Sequence, residues 1–229
     1  MTRICAHRGA SGHAPENTLA AVVLAADQGA VMTEIDVQLS ADGQAVVIHD
    51  ETLDRTTTGR GPVAEHTLAE LQALDAGSWF GEKWQGEKIP TLAEVIMAVG
   101  GRLKLNIELK GAGGPELEAE VVRVVKEHGF ADRCLLTSFD HARIDRLDTH
   151  WRRGYIIGQD SWRREFLQAQ VQVLSVEQSL VDAELVLAAH RAGKEVHVWT
   201  VNDTGDMKRM ISYSVDAIIT NYPDRLKAI

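Results

Sequence analysis

The chain has 229 residues, 45% of them hydrophobic, enough to bury one sizeable core. Acidic residues outnumber basic ones 33 to 24, a formal net charge of −9, which argues against nucleic acid or an anionic membrane as the main partner. No apolar run approaches the ~18 uncharged residues of a membrane-spanning helix, so no stable membrane insertion is expected.

The opening MTRICAHRG has no signal-peptide core and no small-residue cleavage site, so a cytoplasmic protein is expected. Its first β-type run, 3–7, stops at once in His7, Arg8 and Gly9, followed by a loop with Pro15, Glu16 and Asn17. A core strand has no need of an imidazole and a guanidinium at its end, whereas a site that handles an anion does. Residues 17–28, rich in Ala, Val and Leu with Thr18 near the start, predict a helix. Strand-like runs follow at 32–39 and 45–49, separated by SADGQ. Five residues cannot hold a crossover helix, and Asp42-Gly43 is a hairpin signal, so 45–49 is expected to return antiparallel to 32–39.

Residues 51–89 break the rhythm, with Thr56-Thr57-Thr58-Gly59, a short helix-like 67–74 and Gly77-Ser78-Trp79-Phe80-Gly81. They read as an insertion, a lid or side wall without an independent core. Beyond it, strand patterns at 102–109, 134–137, 154–157, 171–176, 195–199 and 216–220 alternate with helical patterns at 91–99, 115–128, 140–150, 182–192 and 204–214. Setting the hairpin return aside leaves eight strands. The expected fold is therefore an α/β (β/α)8 TIM barrel, one domain over 1–229, with 216–220 closing beside 3–7. A doubly wound open sheet is the alternative. Cys5 and Cys134 lie in strand-like runs and are expected to be reduced, buried thiols.

Glu34 and Asp36 are two apart in a strand and share a face. Two buried carboxylates without a partner are costly, and a divalent cation resolves the conflict; a pair of surface acids at a strand end is the plainer alternative. Glu108 adds a third carboxylate on a stripe with Asn106 and Lys110, opposite the apolar Leu105, Ile107 and Leu109. An all-oxygen set suits Mg²⁺ or Ca²⁺ better than zinc, since no tight His/Cys cluster is present. His7 and His49 each close an apolar run, where a barrel puts its working residues, and are the candidate acid and base. Other histidines, such as His13, His66, His128 and His190, fall in loops or at helix ends and read as surface residues. Arg8 offers a planar fork for phosphate oxygens, and Lys110 a point charge.

The blocks HRGASGHAPENT, EIDVQLSADGQAVVIHDETLDRTTTGRG, LNIELK, VHVWTVN and DAIITNYPD, in this order, resemble the glycerophosphodiester phosphodiesterase family. The resemblance runs from Ile4 to about Pro223. It implies a (β/α)8 barrel and metal-dependent hydrolysis of glycerophosphodiesters to an alcohol and sn-glycerol 3-phosphate. It further implies that Glu34, Asp36 and Glu108 hold the metal, that His7 and His49 are the catalytic pair, and that Arg8 and Lys110 contact phosphate. Glu16 and Asn17 match the motif after the first strand, with Glu16 orienting Arg8 or a catalytic histidine. Trp199 matches an aromatic near the substrate, and 51–89 the family's insertion. Asn221 stands where many members carry Asp, a departure expected to matter little.

His7 is assigned here as base and His49 as acid, with water or the substrate's own glycerol hydroxyl as nucleophile. Three rivals share parts of the pattern. A cyclising phospholipase C/D-type phosphodiesterase would use the same barrel, metal and histidines but stop at a cyclic product. A sugar-phosphate isomerase or aldolase would need a Schiff-base or enediol arrangement, for which Lys110 between carboxylates is poorly suited. A non-catalytic glycerol-phosphate-binding protein would have no use for His49. Head-group preference is not legible, and a homodimer is compatible with the fold without being indicated by it.

Overall fold

Among the described residues the sheet has nine strands: β1 (Arg3–His7), β2 (Met32–Leu39), β3 (Ala45–Val47), β4 (Lys104–Leu109), β5 (Cys134–Ser138), β6 (Arg153–Ile157), β7 (Val173–Glu177), β8 (Glu195–Trp199) and β9 (Ala217–Thr220). These come from a computed structural model describing residues 2–111 and 114–229. Around them run α1 (Leu19–Asp27), α2 (Leu68–Ala73), α3 (Leu92–Val99), α4 (Pro115–Glu127), α5 (His141–Arg146), α6 (Ala183–Arg191), α7 (Thr204–Ser212) and α8 (Pro223–Lys227).

All strands but β3 are parallel and close into a barrel, as the alternation predicts. Closure is made by β1, which pairs with β2 on one side (His7 opposite Glu34) and with β9 on the other (Cys5 opposite Ile219). The hairpin is also as expected, with β3 antiparallel to β2 and Val47 opposite Val37. The open-sheet alternative falls with this closure.

Two periodicities build the core. On β2 and β4 the odd residues Ile35, Val37, Leu105, Ile107 and Leu109 are buried in the apolar layer beneath the helices. The even residues face the barrel interior. Caps define the helix starts: Thr18, Asp140, Asp182 and Asp203 each accept from a backbone N–H of the first turn, and Thr91 with Glu94 forms a capping box on α3. Helix α5 is shorter than the sequence pattern, because Leu147 closes on Ile144 and the following Asp148 and Thr149 favour a turn. Helix α8 was not anticipated; Pro223 starts it at a position where a missing N–H costs nothing. Among the described residues no helix is long and apolar enough to cross a membrane. Cys5 and Cys134 are both free and buried.

The insertion is held by an apolar cluster that it shares with the hairpin. Leu53, Val63, Leu71, Ala76 and Ile89 form an apolar cluster with Val46 and Ile48, separate from the main core. Anchored on β3, this cluster fixes the insertion against one side of the barrel's C-terminal end.

Candidate active site

Strand register assembles the acidic group. Between β2 and β4, Glu34 lies opposite Asn106 and Asp36 opposite Glu108, all at positions facing the barrel interior. Oxygens of Glu34, Asp36 and Glu108 lie within 4.8 Å of one another, and all three residues are buried. Each β2 carboxylate is tethered through one oxygen. Glu34 Oε2 accepts from the Arg8 backbone N–H at 3.0 Å, and Asp36 Oδ2 accepts from Asn17 Nδ2 at 2.8 Å. The other oxygens, Glu34 Oε1 and Asp36 Oδ1, are buried and have no hydrogen-bond partner among the described residues. Burial, followed by the charges of Asp36 and Glu108, pushes Glu34 well above the usual carboxylate range. Burial and Asp36 raise Glu108 in the same sense, against the pull of Lys110. An all-oxygen cluster with free oxygens and too little positive charge could hold a hard divalent cation.

The loop after β1 wraps these acids. Arg8 (φ 55°), Gly9 (φ 79°) and Asn17 (φ 60°) adopt left-handed backbone. For Arg8 and Asn17 this conformation is uncommon and marks a loop held by its surroundings. At Gly9 a Cβ would lie 2.5 Å from the Ala21 carbonyl carbon, so only glycine lets α1 approach. Arg8 Nη1 donates to Glu16 Oε1 at 2.8 Å, and its Nε lies 3.2 Å from Asp36 Oδ2.

The two histidines have different partners. His7 Nδ1 is 2.7 Å from Asn221 Oδ1, a neutral amide in the turn after β9. Burial, then the charge of Arg8, lowers the His7 pKa to about 4. His49 Nδ1 is 2.6 Å from Asp50 Oδ1, a carboxylate. His49 does not end a strand, as the sequence pattern implied: β3 stops at Val47, and His49 sits in a bend beyond it. The strand ends early because Gln38 Nε2 binds the carbonyls of Ile48, His49 and Asp50, at 2.9, 3.1 and 2.7 Å. That buried amide turns the chain out of the sheet and aims His49 back over the barrel mouth.

A cavity of about 150 Å³ is lined by His7, Arg8, Glu34, His49, Glu108 and Trp199, together with Asn106 and Phe139. Six of the expected site residues thus meet at one opening. Asp36, almost fully buried, lies beneath it. Lys110 is placed behind Glu108, with Nζ 3.0 Å from Glu108 Oε1 and 3.7 Å from Asp36 Oδ1. Glu16 also stands outside the cavity wall, on Arg8. Trp199 is fixed by a bond from Nε1 to the Ser175 carbonyl, 3.0 Å, and meets the edge of the exposed Phe139 at 5.5 Å.

Four residues escaped the sequence reading. Gln38 continues the even-numbered stripe of Glu34 and Asp36, a signal that was available. Asp50 and Arg55 carried only their charge, and Phe139 only its neighbour Asp140. Asn221, expected to matter little, is the partner of His7.

A family model described as the glycerophosphoryl diester phosphodiesterase family matches residues 7–225. A protein of Caldanaerobacter subterraneus subsp. tengcongensis named glycerophosphodiester phosphodiesterase is 41% identical, over 98% of this chain and 96% of its own. One of the same name from Bacillus altitudinis is 36% identical over 98% and 96%. Among solved structures, an Oleispira antarctica phosphodiesterase in complex with the product sn-glycerol-3-phosphate superposes with a TM-score of 0.92 at 38% identity, covering 100% of this chain and 96% of that one. A glycerophosphodiester phosphodiesterase from Agrobacterium tumefaciens superposes with a TM-score of 0.87 at 33% identity, covering both chains fully (100% and 100%).

Proposed function

Because the chain belongs to the glycerophosphoryl diester phosphodiesterase family, we propose that it hydrolyses glycerophosphodiesters to an alcohol and sn-glycerol 3-phosphate with Mg²⁺ or Ca²⁺ held by Glu34, Asp36 and Glu108. One observation carries this reading: two histidines, a guanidinium and two carboxylates of an under-neutralised triad line one cavity, with the third, Asp36, in reach of the other two. The residues fit a metal, since among the described residues Glu34 Oε1 and Asp36 Oδ1 are buried oxygens that receive no hydrogen bond, Lys110 Nζ standing 3.7 Å from the latter. The bound cation supplies Lewis-acid charge for the phosphoryl oxygens.

The chain's own residues do the rest. Arg8, held by Glu16 and Asp36, presents positive charge to the non-bridging oxygens. Lys110 adds charge from behind Glu108. His7 donates its Nδ1–H to Asn221, so its Nε2 is the unprotonated nitrogen. Its lowered pKa keeps it neutral at pH 7, as a base that takes the nucleophile's proton must be. His49 leans on the Asp50 carboxylate, which can carry the charge of an imidazolium through a step; that suits the acid that protonates the leaving alkoxide. The nucleophile is water or the glycerol's free hydroxyl, and phosphorus NMR for a cyclic phosphate separates the two. Trp199 and Phe139 form the apolar wall of the opening. The whole chain acts as one catalytic domain, with 51–89 as a side wall.

The test is a panel of glycerophosphocholine, glycerophosphoethanolamine, glycerophosphoglycerol and a lysolipid, each with Mg²⁺, with Ca²⁺ and after chelation. Cation-dependent release of sn-glycerol 3-phosphate is the expected result. Binding without turnover of any diester would overturn the reading in favour of a glycerol-phosphate-binding protein, and full turnover after exhaustive chelation would remove the metal from it.

A further inference from the structure

Arg55 lies in the insertion, outside the cavity wall, and its side chain is 45% exposed. An isolated ion pair there would contribute little. Its contacts are of another kind. Nε and Nη2 fork onto Asp50, at 2.7 Å to Oδ2 and 3.0 Å to Oδ1. Nη1 and Nη2 fork onto Glu16, at 2.9 Å to Oε2 and 2.8 Å to Oε1. One planar guanidinium therefore grips two carboxylates bidentately, a geometry that lysine cannot reproduce.

Each of those carboxylates holds a working side chain. Asp50 binds His49 Nδ1, and Glu16 binds Arg8 Nη1. The result is an unbroken row of alternating partners: His49, Asp50, Arg55, Glu16, Arg8, Asp36. Its two ends are the candidate acid and a candidate metal ligand. Without Arg55, Asp50 and Glu16 would face each other as like charges.

The backbone presents Arg55 rigidly. Leu53, fully buried in the insertion's cluster, bonds its N–H to the Gly61 carbonyl at 2.9 Å, and its own carbonyl accepts from the Thr57 hydroxyl at 2.8 Å. The insertion thus delivers a fixed cation between the bend after β3, which carries His49, and the loop after β1, which carries Arg8.

We propose that Arg55 is a positioning residue, through which the insertion sets the orientation of His49 and Arg8 together. This rests on the roles given above to His49 and Arg8. The experiment compares wild type with Arg55→Lys and Arg55→Ala, with folding checked by circular dichroism, and measures kcat and KM on glycerophosphocholine. It adds methylguanidinium to the alanine variant and follows the His49 Nδ1–H by ¹⁵N-resolved NMR, assigned with His49→Gln. Loss of an outer-shell partner typically costs ~10–100-fold in activity, so a kcat loss of that size is expected in both variants with KM little changed. Methylguanidinium restores part of the alanine variant's kcat, and the His49 signal moves in both variants. Wild-type kcat in a folded lysine or alanine variant overturns the proposal. So does a loss that methylguanidinium leaves untouched while the His49 resonance stays in place, which is the mark of a merely structural residue. Should the wild type hydrolyse no diester, the functional reading fails, and the NMR comparison still decides whether Arg55 orients His49.

Discussion

The two ends of this barrel both carry charged side chains in their interior, and they are built on opposite principles. At the N-terminal floor, Glu195 is gripped by Arg3 and by Arg152 at 2.7 Å, and it also meets the wholly buried His197 at 3.3 Å. The hydrogen bond from His197, with those of Arg152 and Arg3, overcomes burial and holds Glu195 well below the usual carboxylate range. At the C-terminal mouth, three carboxylates crowd together and burial raises two of them. At the floor the acid is matched by arginines, whereas at the mouth the acids outnumber the cations beside them. A matched acid stabilises the fold that holds it, whereas crowded buried acids cost stability until a cation joins them.

The comparison breaks most visibly in turnover. Replacing His7 or His49 by alanine at the mouth is expected to lower kcat by about a hundredfold or more with the fold intact, the scale of general acid–base catalysis. Glu195→Gln at the floor is expected to leave kcat near wild type; steady-state kinetics on the three variants checks both statements. A second test turns on the partner of His7. In Asn221→Asp a carboxylate replaces the neutral amide and favours the imidazolium, so the His7 pKa rises from about 4. The acid limb of the kcat/KM profile then moves to higher pH, and an unmoved limb would deny His7 the base role.

Stability sharpens the same contrast with opposite signs. In the metal-free protein, Glu34→Gln removes one of three crowded carboxylates while keeping an acceptor for the Arg8 N–H. A rise in Tm worth about 1–2 kcal/mol is expected. Glu195→Gln strands two arginines and is expected to lower Tm, by about 1 kcal/mol in so partly exposed a network. Thermal melts of the two variants, side by side, decide whether the ends differ in this way. The smallest effect is the pH response of the floor. Burial holds His197 below its ordinary value of 6.5, so the unfolded chain binds the proton more readily. Its contribution is unpenalised above about 6.5 and declines as pH falls below that value; denaturant melts at pH 7.5 and 5.5 should show the loss, and a His197→Gln variant should lack this component.

Much of this molecule was legible in one dimension. The alternation on residues 102–109 announced one polar and one apolar stripe, parity put Glu34 and Asp36 on a common face, and the five-residue gap after Leu39 forced a hairpin. Local chemistry suffices there, since a side chain's face follows from its parity in the strand. The bend at His49 was not legible, because the Gln38 amide that makes it acts across ten or more residues. Nor was the weight of Asn221, whose partner lies 214 positions away.

Residue order alone therefore determined the number of strands, which acids share a face and the chemical kinds gathered at the barrel mouth. Tertiary structure decided which partner each histidine received, which carboxylate oxygens stayed free, and that Arg55 would join two ends of the site. The reason is physical. Periodicity is a property of neighbouring peptide units, whereas hydrogen-bond partners and residual charge exist only once closure of the barrel has brought distant segments within about 3 Å of one another.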